Sequence, residues 1–388
     1  MATPSHLRQL NQRRVIYALM RLGQASRAGL AKATGMSQPT IGKIVEELLE
    51  EHVVDSADGP AACATVSPQP PLRACRGSSG ARSLPESMAT PAAGDEAGSP
   101  RLGRPGQLVR LDARRQRFLA VQLGVVNTRL ATLPIAARLV DEWDTEFATP
   151  SSPQAWVKAL KKAMDRLPLG GLQAMLMSVP GVVNEASGDV LLCPNLRWAE
   201  KMNLNEVLGG LTPAPLLVVQ EIRALALGQL AVEPAEGDFF LVDFADGVGG
   251  AAVVGGKLFT GSAPLSGELG HTPVLGNNRT CGCGAVGCVE TLVSRRGLLA
   301  TFAAEAGRKI PGWPVLVEHV TRLGLQPWLV RALDVAATTI AGAINVLGLH
   351  RVVVTGSLTE LPECVMSHLA EAVRRGALWG RFGDVQCI

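Results

Sequence analysis

The sequence predicts an α/β protein with a helical module at its N-terminus, and three observations predict it. Residues from His6 to Val54 have helical periodicity, and from Phe118 onward short β-rich apolar runs alternate with longer helical patterns. Between them, from Asp55 to about Arg101, the chain is rich in Pro, Ala, Gly and Ser with almost no aliphatic clusters. These textures divide the 388 residues into 1–55, a helix-turn-helix module; 56–101, a linker or disordered insert; and 102–388, the α/β domain. The formal net charge of +3 is close to neutral for this length, so affinity for nucleic acid has to come from a local basic surface. No apolar run reaches the roughly 20 residues of a spanning helix, and the N-terminus lacks a signal h-region. The expected location is therefore cytoplasmic, with no membrane partner.

In the N-terminal module, Leu10, Val15, Ile16, Leu19 and Leu22 fall on one side of a helix that Gly23 ends. Ser26 caps a second helix carrying Leu30 and Ala33, and a turn follows at Thr34-Gly35-Met36. Ser37 caps a third helix, whose apolar stripe is Ile41, Ile44, Val45, Leu48 and Leu49. That stripe leaves Gln38, Thr40 and Lys43 outward-facing. A helix presented by a Gly-containing turn is the arrangement that enters a major groove, where Gln pairs with adenine and Lys reaches guanine or phosphate. Arg13, Arg14, Arg21, Arg27 and Lys32 supply positive charge near the same end, while Glu46, Glu47, Glu50 and Glu51 lie further along, away from DNA. The expected DNA contacts are Arg27, Ser37, Gln38, Thr40, Lys43 and Arg104. An ordinary three-helix packing unit accounts for the same pattern. Val53-Val54 and Gln107 to Leu111 are candidate strands of a wing, and Gly103-Arg104-Pro105 is either a minor-groove arm or a simple turn.

In the α/β region the expected strands are Leu119 to Leu123, Ala174 to Ser178, Leu216 to Val219, Phe239 to Phe244, Ala251 to Val254 and Arg351 to Val354, with a helix over Leu329 to Leu347. No short-period internal repeat is visible. Three of the eight cysteines, Cys281, Cys283 and Cys288, join His271 in an H-x9-C-x-C-x4-C spacing interleaved with Gly282, Gly284 and Gly287. A Cys₃His set is a closed, structural coordination shell suited to Zn²⁺, with no open position for catalysis. Metal there would pin the loop that begins at Gly267 and so hold Glu268 and Glu290 in place.

The segments Gly247-Val248-Gly249-Gly250, Gly255 to Gly261, Gly267-Glu268-Leu269-Gly270-His271 and Cys281 to Glu290 together resemble the signature of the ROK family of repressors, uncharacterised reading frames and sugar kinases. Ser178 to Val183, Gly188 and Pro194-Asn195-Leu196-Arg197-Trp198 are similar to a further loop of that family. Ser26 to Ala31, Thr34 to Ser37 and Gly103-Arg104-Pro105 resemble its regulator branch, which carries a winged helix-turn-helix. The resemblance implies a two-lobed, actin-like (ribonuclease-H-like) ATPase fold with ligand in the interlobe cleft. It also implies Glu268, His271, Glu290 and Glu221 as sugar-contacting residues, His271 doubling as a zinc ligand, and a homodimer or homotetramer.

Departures from the family pattern bear on function. Where family kinases carry Asn-Asp, the Asp being the base, this chain has Gln220-Glu221, and Arg223 replaces a further polar position. A carboxylate displaced by about an ångström can cost on the order of 100-fold when attack geometry is tight. The first phosphate loop reads Gln122-Leu123-Gly124-Val125-Val126, lacking the carboxylate that organises a metal-nucleotide, and the second has Ala245-Asp246, whose charge opposes a triphosphate. ATP is therefore not expected as a cofactor and no catalytic residue is expected. The function expected is a sugar-responsive, DNA-binding transcription regulator, a repressor acting on an operator, with a sugar or sugar phosphate as effector. The alternatives are an ATP-dependent sugar kinase using Glu221 as base, and a dimerisation scaffold that binds no sugar.

Overall fold

The computed structural model describes residues 4–57, 107–135, 143–232, 237–261, 265–307 and 312–388. The insert expected over 56–101 and the Gly103-Arg104-Pro105 motif, Arg104 included, lie almost wholly outside the described residues. The chain forms two compact units, Met1–Asp112 and Ala113–Ile388.

In the first unit, helix α1 (Pro4–Leu22) is followed by strand β1 (Gln24–Ser26), α2 (Arg27–Thr34), α3 (Gln38–Glu50) and β2 (Val54–Ser56), and β3 (Leu108–Leu111) joins from beyond the insert. Ser26 Oγ accepts from Gly29 N at 3.1 Å and so caps α2. Gly35 closes α2 in the left-handed region at φ +69°, which directs the chain into the cap of α3, where Ser37 accepts from Thr40 N. Ile41, Ile44, Val45 and Leu48 are buried along α3, and Leu49 is half-buried. Among the described side chains of α1, Val15 and Leu19 are the fully buried ones. Leu10 and Leu22, expected on the same face, are 41% and 51% exposed, because periodicity identifies a face but not how far neighbours extend along it. Ala33 is likewise exposed. The wing strands β2 and β3 pair antiparallel, Val54 opposite Leu111, and β1, not anticipated, pairs with the other edge of β3, Ala25 opposite Val109.

The second unit contains two five-stranded sheets. The first comprises β4 (Arg117–Leu123), β5 (Asn127–Pro134), β6 (Thr145–Ala148), β7 (Leu172–Val179) and, after the small hairpin β8 (Val182–Asn184) and β9 (Asp189–Leu192), β10 (Leu216–Gln220). The second comprises β11 (Phe239–Phe244), β12 (Val248–Val254), β13 (Lys257–Leu258), β14 (Arg351–Gly356) and β15 (Gln386–Cys387). In each, three antiparallel strands are extended by two parallel ones, β6-β5-β4-β7-β10 and β13-β12-β11-β14-β15. The same connectivity occurs twice with no short-period repeat in the sequence to announce it. Every expected strand lies within one of these, and the expected helix Leu329 to Leu347 lies within a helix spanning Pro327–Leu347.

Each sheet buries its own core. Leu119, Val121, Leu123, Met175, Met177, Val179 and Trp156 belong to the first, and the Trp156 indole N–H donates to buried Thr128 at 3.0 Å. In β11 the even positions Phe240, Val242 and Phe244 face the second core, while Phe239 and Leu241 meet Ile222 and Ala226 of the helix Glu221–Val232. That helix starts directly at the end of β10 in the first sheet and packs on the second, so its first residue stands at the junction of the halves. Among the described residues one helix, Pro327–Leu347, is long and apolar enough to cross a membrane, but it carries Arg331 and Asp334 and buries nine side chains from Trp328 to Ile344.

Candidate functional site

A cleft of about 290 Å³ is lined from the first half by Gln122, Gly124, Pro180, Asn195, Gln220 and Glu221, and from the second by Asp243, Asp246, Gly247, Glu268, His271 and Glu290. The structure thus brings Glu221, Glu268, His271 and Glu290, scattered over 70 positions, to one cavity. Gln122, at the end of β4, donates from Nε2 to Glu221 Oε1 at 2.8 Å. Gln220, at the end of β10, donates from Nε2 to Glu268 Oε1 at 2.7 Å, linking the halves. Its own amide oxygen is buried without a partner, a cost that a hydroxyl donor in the cleft would relieve.

Burial raises the Glu221 carboxyl above its ordinary range; the Gln122 amide pulls it back, and Asp243 and Asp246 push it up further. Asp243, not among the expected site residues, is also raised by burial and accepts from Thr355 Oγ1 at 2.8 Å. A lone carboxylate inside the apolar run Phe239 to Phe244 was the available signal for it. Glu268 is raised by burial and by Glu290, against the opposing hydrogen bond from Gln220 and the charge of His271.

The loop that carries the cysteines is a narrow ribbon. Val274 N donates to Gly287 O, Gly287 N to Arg279 O and Cys281 N to Ala285 O, while Arg279 reaches Thr291 O and Thr301 Oγ1 to fasten the ribbon to the helix behind it. At its entry the chain runs against β12. A Cβ on Gly270 would lie 2.4 Å from Val248 O and 2.9 Å from Val248 Cβ, so only glycine lets Glu268 and His271 approach the strand this closely.

One ligand atom from each of His271, Cys281, Cys283 and Cys288 lies within 4.8 Å of the others. Cys283 and Cys288 Sγ are 3.8 Å apart, matching the edge of a tetrahedron with metal–sulfur bonds of about 2.3 Å, roughly 3.8 Å. These four side chains fit a bound metal. His271 Nδ1 is 3.6 Å from Cys281 Sγ and its Nε2 is 3.5 Å from Glu268 Oε2. A metal held at Nδ1 leaves the ring proton on Nε2, facing Glu268, so the imidazole joins the metal loop to the cleft. Glu290 does the same from the other side: Oε2 accepts from Val248 N at 3.1 Å and Oε1 is 3.8 Å from Cys281 Sγ.

In the first unit Ser37, Gln38, Thr40, Lys43 and Arg27 are all solvent-exposed. The Thr40 hydroxyl is 2.8 Å from Ser37 Oγ, and Arg27 is 3.7 Å from Glu46. Arg14, expected among the phosphate-facing charges, instead donates to Thr34 O at the end of α2, at 2.8 Å. Glu47 takes Arg8 at 2.9 Å and Gln12 at 3.2 Å. Part of the charge in this module therefore joins its helices.

Among curated relatives, N-acetylmannosamine kinase of Escherichia coli O157:H7 is 33% identical over 190 residues, 48% of this chain and 64% of the relative. N-acetylmannosamine kinase of Salmonella typhimurium is 34% identical over 185 residues, 47% and 62%. The aligned region spans less than two thirds of either kinase. Among solved structures, a ROK family transcriptional regulator, homolog of the E. coli MLC protein, superposes with a TM-score of 0.75 at 18% identity, over 98% of this chain and 91% of its own. The ROK hexokinase of Thermus thermophilus superposes at 0.58 with 21% identity, over 70% and 91%. The two-sheet unit thus has the actin-like fold shared by kinases and regulators. The ROK family model matches residues 118–381, well over half of the chain, and the protein belongs to the ROK family.

Proposed function

We propose that this protein is a sugar-responsive transcription regulator, with residues 1–55 and the wing strand as DNA reader and the two-sheet unit as sensor. The observation that carries the proposal is the first unit. There a Ser37-capped helix buries Ile41, Ile44, Val45 and Leu48 on one face and leaves Gln38, Thr40 and Lys43 exposed at its N-terminal end. Arg27 and Arg104 supply flanking contacts to the DNA backbone or minor groove. The operator is double-stranded DNA read by a homodimer or homotetramer, because one winged helix contacts a single half-site. Glu268, His271, Glu290 and Glu221 hold the hydroxyls of a sugar or sugar phosphate, and Zn²⁺ is the metal of the Cys₃His set, in a structural role in the cytoplasm. Gln122 occupies Glu221, and Asp246 adds negative charge to the same cleft, which supports loss of nucleotide chemistry.

The test is selection of bound DNA from a genomic library, repeated with hexoses, N-acetylhexosamines and their phosphates and with a Gln38→Ala, Lys43→Ala control. A palindromic site lost in the control and shifted by one sugar is the expected result. No enrichment under any condition would overturn the reading.

The second reading, an ATP-dependent sugar kinase, is favoured by the 33% identity to N-acetylmannosamine kinase and by a buried carboxylate, Glu221, in the cleft. Sustained phosphate transfer to a hexosamine, abolished by Glu221→Gln, would establish it.

A further inference from the structure

The halves of the second unit bury separate cores, yet they also touch beside the cleft, through Arg197 and Gly282. The loop Pro194 to Leu196 belongs to the first half, where Cys193 and Leu196 are part of the core. It runs into a short turn, Arg197–Ala199, and the Arg197 guanidinium donates from NH2 to the carbonyl of Gly282, the residue between metal-ligand candidates Cys281 and Cys283. A Cβ on Gly282 would stand 3.0 Å from Pro194 Cβ, so the ribbon also packs directly on this loop. Glu200 completes the arrangement: Oε1 accepts from Cys193 N at 3.1 Å and Oε2 lies 3.7 Å from Arg197 NH1. The guanidinium is thus aimed from its own side by Glu200, and its target carbonyl is placed by the fold of the cysteine ribbon. Pro194 and Asn195, carried on the same loop, line the cleft.

We propose that Arg197 is a positioning residue that couples metal occupancy to the position of the cleft loop Pro194 to Leu196. With metal on the four ligands the Gly282 carbonyl is fixed and the guanidinium anchors the loop to the second half. Without metal the ribbon relaxes, the carbonyl moves away, and the loop loses its anchor. The Gln220–Glu268 link on the cleft floor does not pass through Arg197. Metal therefore acts on ligand binding by a route separate from the His271 imidazole.

The proposal is tested on the full chain by amide hydrogen exchange over residues 192–202, with Zn²⁺ bound and after chelation, in the wild type, Arg197→Ala and Gly282→Ala. Expected are exchange in this segment about tenfold faster on chelation of the wild type, the loss of one charge-assisted bond, and equally fast exchange in Zn²⁺-loaded Arg197→Ala at unchanged zinc content. Gly282→Ala, whose Cβ would stand 3.0 Å from Pro194 Cβ, crowds the same contact and should speed exchange in the same direction. Exchange indifferent to Zn²⁺ in the wild type would overturn the proposal, as would slow exchange in Zn²⁺-loaded Arg197→Ala or loss of zinc from that variant. This readout involves no sugar, so it stands if the sensor reading fails. Where a sugar does bind, its affinity should fall in Arg197→Ala and lose part of its dependence on Zn²⁺.

Discussion

Gln122 Nε2 and Glu221 Oε1, 99 positions apart, meet at 2.8 Å where the first sheet faces the cleft. The pair joins the two positions that the family resemblance singles out as departures from the kinase pattern, one for a nucleotide-organising carboxylate and one for a base. A carboxylate so placed is buried beside Asp243 and Asp246, and its energetics follow from that.

Because burial raises the folded-state value of Glu221, its contribution to stability is complete below the unfolded value of about 4.3 and is lost as pH rises through the folded value. Asp243 acts in the same direction. Glu221→Gln, which keeps an acceptor for Gln122, should therefore raise the melting temperature at pH 7 by about 2–4 °C for each kcal/mol gained. The gain should vanish below about pH 4. Equal melting gains at pH 4 and pH 7 would refute this.

Gly270→Ala places a methyl group against Val248 O at 2.4 Å, so either β12 or the turn carrying Glu268 and His271 has to move. A loss of about 1–3 kcal/mol is expected, with weakened metal retention, measured by thermal melting and by zinc content after dialysis. Retention equal to wild type would show that the strand yields and the site does not.

The two classes of basic residue in the first unit should separate in a salt titration. Lys43 is exposed beside the α3 N-terminus, so Lys43→Ala should lower DNA affinity and reduce the slope of log affinity against log salt by about 1. Arg14 bonds Thr34 O, so Arg14→Ala should cost about 1–3 kcal/mol of stability and leave the slope of the folded protein unchanged.

Cys288→Ser removes one of the four candidate ligands; burial pushes the Cys281 thiol up to about 12 and raises the Cys288 thiol as well. The variant should lose its metal and about 3–5 kcal/mol. Metal loading of the wild type should release protons, detectable as buffer-dependent heat in calorimetry. A variant that keeps one equivalent of metal would exclude Cys288 from the ligand set.

What was legible in the sequence was local. The α3 stripe, the caps at Ser26 and Ser37, the strands and the His271 to Cys288 spacing each arise within one segment, where period or ligand spacing is itself the signal. What was not legible needs two distant segments. Gln220 reaches Glu268 across 48 positions, Arg197 reaches Gly282 across 85, and Ala25 pairs with Val109 through a strand too short and polar to stand out. Leu10 and Leu22 show the converse: a correct helical face whose ends find nothing to cover them.

The sheet of the first unit has a centre strand, β3, drawn from the far side of residues 58–106, with Ser56 opposite Val109. Its two outer strands precede the insert, so the module is complete only when both flanks of the insert are present. A fragment ending at residue 57 would lose the middle of its sheet. Leu108 to Leu111 therefore belong to the first unit as fully as the residues before 58 do.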